Sequence, residues 1–437
     1  MPPSDAPSTA AKEGETPAIY KTDESLLDVP GFINDLVGFT MSAAHRPNRV
    51  LAFAGALSFL AHLAGRRFVG PRGTFPNLYV VALADSASGK DYPRKVNNHL
   101  AGIAHISQSI AYNVASGQGL EDKLSNMPSL FCQIDEFDSL LREMKSDKVA
   151  NAAIESLWRT LLTLFTTSDS SYSTRLRASG ANKNTGGEEI DKPSLSMLAT
   201  AIPANFYGSL SQRALTSGLL GRCLVFESGP RGEENFNSGL TGRAIPCSIM
   251  DCVDELAQTP PLFGEKGPAN PRNVPYADRA AQDEARRVSK EADALYKAAE
   301  RAGDEVAKSV WGRSVELVGK LALLYALSAD IQKPAVTAEG FAWAWRLVKS
   351  LQLRMLDMVR DYAAVDERDG KMLAALRMVE KAGKEGIMRS DVIKRLHVSK
   401  EEMNRIEETL EDRGDIIVEH VPSANGRGTR YKIRKGN

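Results

Sequence analysis

Residues 77–95 read NLYVVALADSASGKDYPRK, and this stretch decides the fold. Its first part, residues 78–83, is an apolar run with the composition of a buried strand. A turn of small residues from Ala84 to Gly89 follows and leads into Lys90. In a phosphate-binding loop, a strand, a tight turn, a lysine and a helix follow in this order, and backbone N–H groups hold the phosphate oxygens. The stretch therefore predicts the first strand, loop and helix of an α/β P-loop NTPase core.

Two positions of the loop depart from the usual pattern. Ala84 stands where the first glycine belongs, and Asp91 stands where a serine or threonine hydroxyl would bind magnesium. A carboxylate at position 91 would hold Mg²⁺ through water and would place negative charge near the β-phosphate, which predicts weak hydrolysis. The residues predicted to contact the nucleotide are Ala84, Ser86, Ser88, Gly89, Lys90 and Asp91.

A second informative run, residues 129–136, reads SLFCQIDE. It is an apolar strand ending in Asp135 and Glu136, which is typical of the second motif of an ATPase. There the aspartate holds Mg²⁺, directly or through water, and the glutamate polarises the water that attacks the γ-phosphate. A helix predicted over residues 96–110 fits between Lys90 and this run, as a parallel strand–helix–strand core requires. The alternative is a strand followed by an acidic loop.

Three further residues are candidates for contact with the γ-phosphate. Thr200 ends the apolar strand 195–200 and is predicted to sense the phosphate, although a threonine at a strand end needs no such role. Arg222 precedes another apolar strand and is predicted to reach a neighbouring subunit's nucleotide. Arg213 competes for that role, and a surface charge or a structural ion pair is the alternative. Arg313, at a helix start, is predicted to touch the phosphate from a helical lid or else to be a solvated charge.

The last block of the chain predicts a winged-helix domain, with a helix-turn-helix followed by two strands and a wing between them. Arg427, Arg430 and Lys432 form a basic patch on the wing, which predicts contact with DNA phosphates. Acidic residues on the second helix, among them Glu401 and Glu402, disfavour insertion into the major groove. Docking of another protein is therefore the alternative role of this domain.

The composition is that of an ordinary globular protein. The 437 residues suffice for two or three domains, and 55 lysines and arginines balance 55 aspartates and glutamates. Contact with nucleic acid must therefore come from local patches. The four cysteines show no paired spacing, which disfavours zinc and predicts a reducing, cytoplasmic compartment. The apolar segment 50–64 is too short to span a bilayer, so no membrane partner is expected.

The domain organisation follows from these patterns. The predicted parts are a disordered tail (1–25), an N-terminal helical collar (26–70), a P-loop ATPase core (71–275), a helical lid (276–365) and a winged-helix domain (366–437).

Taken in order, the motifs resemble those of the replicative helicase-like P-loop ATPases that phages, plasmids and integrated mobile elements encode, often beside a primase. The matching segments lie within residues 28–360 and are NLYVVALADSASGKD, SLFCQIDEFDSLL, SLSMLATAIPANF, SGLLGRCLVF and RSVELVGKLALLYAL. The chain is more distantly similar to superfamily-three and minichromosome-maintenance helicases. The resemblance implies an AAA+/RecA-like core in a ring, usually a hexamer, that hydrolyses ATP with Mg²⁺ and translocates on DNA.

The resemblance also assigns roles to single residues. It implies that a basic hairpin bearing Arg175, Arg177 and Lys183 grips single-stranded or forked DNA in a central channel. No primase motif is visible, so any primase is expected to be a separate protein. The leading hypothesis is an ATP-driven helicase or translocase for replication of a mobile element. The alternatives are an ATP-switched initiator or helicase loader without unwinding activity, and a non-replicative ring ATPase in defence or partitioning.

Overall fold

The structure is a computed structural model that describes residues 22–112, 114–145, 152–176, 187–210, 214–215, 217–362, 367–423 and 426–434. The chain divides into two units, of which the first ends at Met358 and the second begins at Val359. Within the described ranges, no helix has the length and apolar character needed to cross a membrane.

The first unit mixes helices and strands along its whole length. Its helices are α1 (Phe32–Ala43), α2 (Arg49–Ala64), α3 (Tyr92–Ile103), α4 (Gly117–Asn126), α5 (Phe137–Lys145), α6 (Ala152–Thr166), α7 (Pro203–Ser209), α8 (Leu219–Arg222), α9 (Cys247–Gln258), α10 (Arg279–Ala302), α11 (Glu305–Trp311), α12 (Ser314–Ala329) and α13 (Ala338–Tyr362). Its strands are β1 (Phe68–Val69), β2 (Tyr79–Leu83), β3 (Ile110–Tyr112), β4 (Ser129–Ile134), β5 (Ser171–Ser173), β6 (Glu189–Asp191), β7 (Ser194–Ala201), β8 (Cys223–Glu227) and β9 (Arg272–Asn273).

The centre of this unit is a five-stranded sheet in the order β3-β4-β7-β2-β8, and every neighbouring pair is parallel. All residues of β2, β4, β7 and β8 are buried. Such continuous apolar strands are expected where helices cover both faces of a parallel sheet. The chain therefore has the α/β core that its apolar runs predict, with β2 between β7 and β8.

Helices α2 and α6 cover opposite faces of the sheet. On the α2 face, the ring of Phe53 contacts that of Phe226 on β8, with 5.7 Å between centroids. On the α6 face, the hydroxyl of Tyr79 donates to the Leu161 carbonyl oxygen at 2.7 Å. Almost the whole of α2 is buried. The segment predicted as a helical collar thus contributes a central core helix, because a helix that is apolar all round must be covered on every side.

The helices after residue 276 also pack into the first unit. Helix α12 is buried along most of its length, and its last turn is hydrogen-bonded to residues at the start of α1. There the Ser328 hydroxyl accepts from the Ile33 N–H at 2.9 Å and donates to the Pro30 carbonyl oxygen at 2.6 Å. Near its middle, Lys320 binds the chain just before β2. The predicted lid helix therefore contacts α1 and the amino-terminal edge of the sheet.

One local prediction was wrong. The pattern predicts a helix over residues 96–110, whereas α3 ends at Ile103 and Ile110 begins β3, which pairs with β4. The chain leaves the helix and turns at His105, whose φ of 57° lies in the left-handed region. Pairing of the next residues with a buried strand overrides their helical pattern, a common effect of tertiary contacts on local preference.

After the end of α13, which runs across the boundary, the described part of the second unit contains three helices and a small antiparallel sheet. Its elements are α14 (Glu367–Ala382), β10 (Ile387–Met388), α15 (Arg389–Leu396), α16 (Lys400–Asp412), β11 (Ile416–Ser423) and β12 (Gly426–Ile433). The strands lie in the order β10-β12-β11. Ser399 caps α16 by accepting a hydrogen bond from the Glu402 N–H. The unit has its own apolar core, formed by Met372, Ala375, Val379, Val392, Val398, Met403, Ile406, Leu410, Ile416 and Tyr431.

Candidate functional site

The loop between β2 and α3 lies at the carboxyl edge of the parallel sheet. In open α/β sheets this edge is where ligands bind. The Ala84 N–H donates to the Ala201 carbonyl oxygen at 3.1 Å, which fixes the start of the loop beside the end of β7. The predicted loop residues, from Ala84 to Asp91, are thus placed next to the end of the strand that carries Thr200.

The loop conformation depends on Gly89. Its φ is 82°, and a Cβ atom added there would lie 2.8 Å from the Arg46 carbonyl oxygen. Only glycine adopts such a φ without strain, and a distance below 3 Å leaves no room for a side chain. Ala87 also has a positive φ, of 60°. The segment between α1 and α2 and the loop therefore approach each other closely at this point.

The loop keeps several hydrogen-bond donors unused. Among the described residues, the N–H groups of Ser86, Ala87, Gly89 and Lys90 donate to no backbone carbonyl. The Ser88 side chain is only 1% exposed, yet its Oγ has no partner within the described chain. Buried polar groups are nearly always hydrogen-bonded. Together with the amino terminus of α3, these donors are suited to an anion such as a phosphate.

The ends of β4 and β7 bring Asp135 and Thr200 together. Ile134 pairs with Ala199 in the parallel register, so the next residues along both strands are adjacent. The Thr200 Oγ1 donates to Asp135 Oδ1 at 2.7 Å, and the Glu136 N–H donates to the same oxygen at 3.1 Å. Two side chains predicted separately from two strand ends therefore form one contact.

Asp135 also binds Arg94, a residue that the sequence analysis missed. Arg94 lies in the first turn of α3, and its Nη2 is 2.6 Å from Asp135 Oδ2. Burial raises the pKa of Asp135, and the Thr200 hydrogen bond and the Arg94 charge outweigh that effect, so the pKa is lowered overall. Asp135 is therefore an ionised carboxylate whose two oxygens are both engaged.

Glu136 has an unusual backbone conformation. Its φ of 53° is in the left-handed region, which costs energy for a residue with a side chain. Its carbonyl oxygen accepts from the Ser139 N–H at 2.8 Å at the start of α5, and its side chain is exposed. Such strain is concentrated at functional sites. The turn presents the Glu136 carboxylate to solvent directly after the buried strand.

The polar groups at this edge are better suited to binding a phosphate than to binding Mg²⁺. The Asp91 carboxylate is 2.5 Å from the Lys95 ammonium, and both oxygens of Asp135 already accept hydrogen bonds. Across the described ranges, no three His, Cys, Asp or Glu side chains are grouped to hold a metal ion. The loop, in contrast, offers free N–H groups and Lys90. In this arrangement the predicted metal ligands Asp91 and Asp135 do not fit Mg²⁺.

Arg222 and Arg313 lie at the opposite, amino-terminal edge of the sheet. Arg222 directly precedes β8, is 8% exposed and donates to the Gly218 carbonyl oxygen at 2.9 Å. Burial lowers the pKa of Arg222, and the nearby charge of Arg313 lowers it further. Arg313 pairs with Glu316 at 3.2 Å and lines a cavity of about 400 Å³. Neither arginine contacts the loop of its own chain.

The predicted DNA-gripping residues are only partly described. Arg177, Lys183 and the competing finger candidate Arg213 lie outside the described residues. Arg175 is held against the protein by the buried Glu121 at 3.1 Å and by the Ser156 carbonyl oxygen on α6. Contact of Arg175 with a DNA strand would have to replace these bonds.

The basic patch of the second unit carries internal ion pairs. Lys432 lies 2.9 Å from Glu419 across the β11–β12 pair, and Arg430 faces Glu419 in the same register. The backbone of Arg427 belongs to β12, and its side chain lies outside the described part. On α16, Glu402 pairs with Lys371 at 2.7 Å, so part of the acidic charge on that helix is compensated.

No protein-family model matches the chain, and the search of curated proteins found no significant match.

Proposed function

We propose that the first unit is a P-loop nucleoside triphosphatase that binds ATP at the carboxyl edge of its sheet. One observation carries this proposal. The turn between β2 and α3 holds a buried, unpartnered Ser88 hydroxyl and several free N–H groups beside the Asp135–Thr200 pair. A group of unused donors at a helix start is suited to the oxygens of a triphosphate.

The residues of this edge suggest a division of labour in hydrolysis. Lys90 and the loop N–H groups would neutralise and orient the phosphate oxygens. Glu136, exposed after a strained turn, would polarise the attacking water. Thr200 binds Asp135, so its proposed sensing of the γ-phosphate would act through the position of that carboxylate.

We further propose that the protein is a ring-forming DNA helicase or translocase, cytoplasmic, for replication of a phage, plasmid or integrated mobile element. The order of motifs supports it by resemblance. The placement of Arg222 also supports it, because a head-to-tail neighbour brings opposite edges of two sheets together. Arg222 would then complete the site of the next subunit, and a hexamer is the expected ring.

In this proposal the second unit is a winged helix. Its three helices and its β11–β12 hairpin follow in the order that such a domain requires, with Arg427 and Arg430 on the hairpin. The wing would contact the DNA backbone rather than bases, since phosphate contact needs only positive charge. Separate primases and forked DNA remain the proposed partners.

A specific observation favours a second candidate, an ATP-switched initiator or helicase loader without unwinding activity. Asp91 and Asp135 are both neutralised by basic side chains of α3, Lys95 and Arg94. Carboxylates bound in this way are poorly available to Mg²⁺, and slow hydrolysis suits a switch better than a motor.

The two candidates are separated by assays on the purified full-length protein. A motor should hydrolyse ATP faster with single-stranded DNA and should unwind a forked duplex, and Glu136→Gln should bind ATP while losing both activities. A switch should form nucleotide-dependent rings and bind duplex DNA without strand separation. A folded, oligomeric sample that shows neither ATPase nor unwinding activity would exclude the motor.

A further inference from the structure

Arg94 occupies an unexpected position next to the proposed phosphate site. It follows the loop by one helical turn, and its side chain is 18% exposed. Its Nη2 donates to Asp135 Oδ2 at 2.6 Å, while its buried Nε has no partner within the described chain. The guanidinium is thus fixed by Asp135 and retains further donors, and the planar guanidinium fork matches the geometry of both carboxylate and phosphate oxygens.

The same helix neutralises the other carboxylate of the site. Lys95, the next residue of α3, lies 2.5 Å from Asp91, which stands where a metal-binding hydroxyl is usual. Both carboxylates that would otherwise attract a divalent cation are therefore paired with cations of the protein itself. A triphosphate needs compensating positive charge, and in most P-loop enzymes Mg²⁺ supplies a large part of it.

We infer that Arg94 takes the place of Mg²⁺ in nucleotide binding, so that this site takes a nucleoside triphosphate in metal-free form. Arg94 holds Asp135 away from the phosphates as a neutral pair and offers its remaining N–H groups to them. The inference rests on the proposed nucleotide site and specifies the ionic form of its ligand.

A purely structural clamp between α3 and β4 is the competing explanation of the pair. An ion pair of this kind, near the surface, contributes little to stability. If the pair were only such a clamp, removing Arg94 would not change how strongly Mg²⁺ affects nucleotide affinity. Metal dependence of binding therefore distinguishes the two roles, and it is measured without any turnover.

The experiment measures the dissociation constant of a fluorescent ATP analogue by anisotropy, once with excess MgCl₂ and once with EDTA. For the unmodified protein we expect the two constants to agree within about threefold. Removing the guanidinium in Arg94→Gln leaves the Asp135 carboxylate facing the phosphates, so binding should weaken by about tenfold or more in EDTA and recover with Mg²⁺. Arg94→Lys retains the charge and should stay closer to the unmodified protein.

A matched control is Arg159→Gln, which removes an exposed arginine that pairs with Glu155 on α6. It should leave both constants unchanged, and thermal melting of each variant verifies folding. Failure to bind the analogue in either buffer would overturn the proposed nucleotide site itself. Binding by the unmodified protein that requires Mg²⁺ would overturn only the inference, and so would an Arg94→Gln variant that remains insensitive to the metal.

Discussion

The two edges of the central sheet each hold a buried polar side chain, and these two side chains are satisfied differently. At the amino-terminal edge, Lys320 is 2% exposed, yet its ammonium donates to the Asn77 Oδ1 at 2.6 Å and to the Phe75 carbonyl oxygen at 3.1 Å. At the carboxyl edge, the Ser88 hydroxyl is equally buried and has no partner within the described chain. Lys320 is thus satisfied by acceptors of its own protein, whereas the Ser88 hydroxyl is not.

The contrast separates a buried polar group that belongs to the fold from one that is available to a ligand. A lysine with two protein acceptors stabilises the place where it lies, because leaving those acceptors unpaired would be costly. A buried hydroxyl without an acceptor, such as that of Ser88, is costly until something else binds it. The predictions below test this distinction, beginning with the largest effect.

The largest expected effect concerns Arg222, the arginine of the amino-terminal edge that we propose to act on another copy. Arg222→Ala should lower the ATP turnover of the oligomer by about a thousandfold, because such an arginine stabilises charge in the transition state. Mixing Arg222→Ala subunits with Glu136→Gln subunits should restore part of the hydrolysis, since mixed interfaces contain one intact site. Steady-state phosphate release measures both the loss of turnover and its rescue. Absence of rescue would contradict a role of Arg222 in the site of a neighbouring subunit.

Lys90→Ala should remove nucleotide binding at the carboxyl edge. Loss of a charge-assisted contact to phosphate is expected to weaken the affinity for an ATP analogue by about a hundredfold. The melting temperature should stay unchanged, because the fold does not depend on this side chain. Lys123→Ala, at an exposed position of α4, is the control. A large fall in melting temperature for Lys90→Ala would instead mean that the loop lysine is structural.

Lys320→Met should give the reverse result. It leaves the Asn77 and Phe75 oxygens unpaired and should lower the free energy of unfolding by about 2 kcal/mol. Affinity for the ATP analogue should not change. Urea denaturation measures the free energy of unfolding, and anisotropy measures the affinity for the ATP analogue. If Lys320→Met lost as much nucleotide affinity as Lys90→Ala, the two lysines could not be assigned separate roles in folding and in binding.

The pH dependence gives a second test of Lys320. Burial lowers its pKa from 10.5 to about 8, so between these values the unfolded chain binds more protons than the folded one. The contribution of this lysine to stability should therefore rise as the pH increases from about 8 to 10.5. The difference in unfolding free energy between the unmodified protein and Lys320→Met should grow across that window. A difference in unfolding free energy that does not change with pH would contradict the lowered pKa of Lys320.

The smallest expected effect is at Thr200. Thr200→Val keeps the shape of the side chain and removes the hydrogen bond to Asp135, so it should cost about 1 kcal/mol of stability. The pKa of Asp135 should rise, as followed by carboxyl NMR titration. Because a lowered pKa stabilises the folded state above the unfolded value and that gain is lost on acidification, the variant should lose less stability at low pH. Thr163→Val, on α6, is the control.

Much of the sheet could be predicted from the sequence, for a simple physical reason. Strands buried on both faces need continuous apolar residues, and the runs before Ala84, Asp135 and Thr200 are all such strands. Polar residues that directly follow parallel strands collect at one edge. The proximity of Asp135 and Thr200 therefore follows from the pattern, once β4 and β7 are neighbours.

The remaining features depend on packing that no local pattern reveals. Arg94 resembles any other charged residue of a helix, and its bond to Asp135 arises only because α3 packs beside the end of β4. The φ of Glu136 and the unpartnered Ser88 hydroxyl are likewise set by the surroundings of the turns. The placement of α2 inside the core could not be inferred, because an apolar sequence shows that a helix is buried but does not show which elements cover it.

The strand order also affects how the chain is assembled during synthesis. Strand β2 leaves the ribosome early, but its two partners are β7 and β8, which end at Ala201 and Glu227. Until Ala201 has been made, β2 has no partner strand, and one of its edges stays unpaired until Glu227 follows; long-range parallel pairing also forms slowly. An unpaired apolar strand is a site for aggregation. The nascent chain must therefore protect residues 78–83 with local helices, or with a chaperone, until residue 227 has emerged.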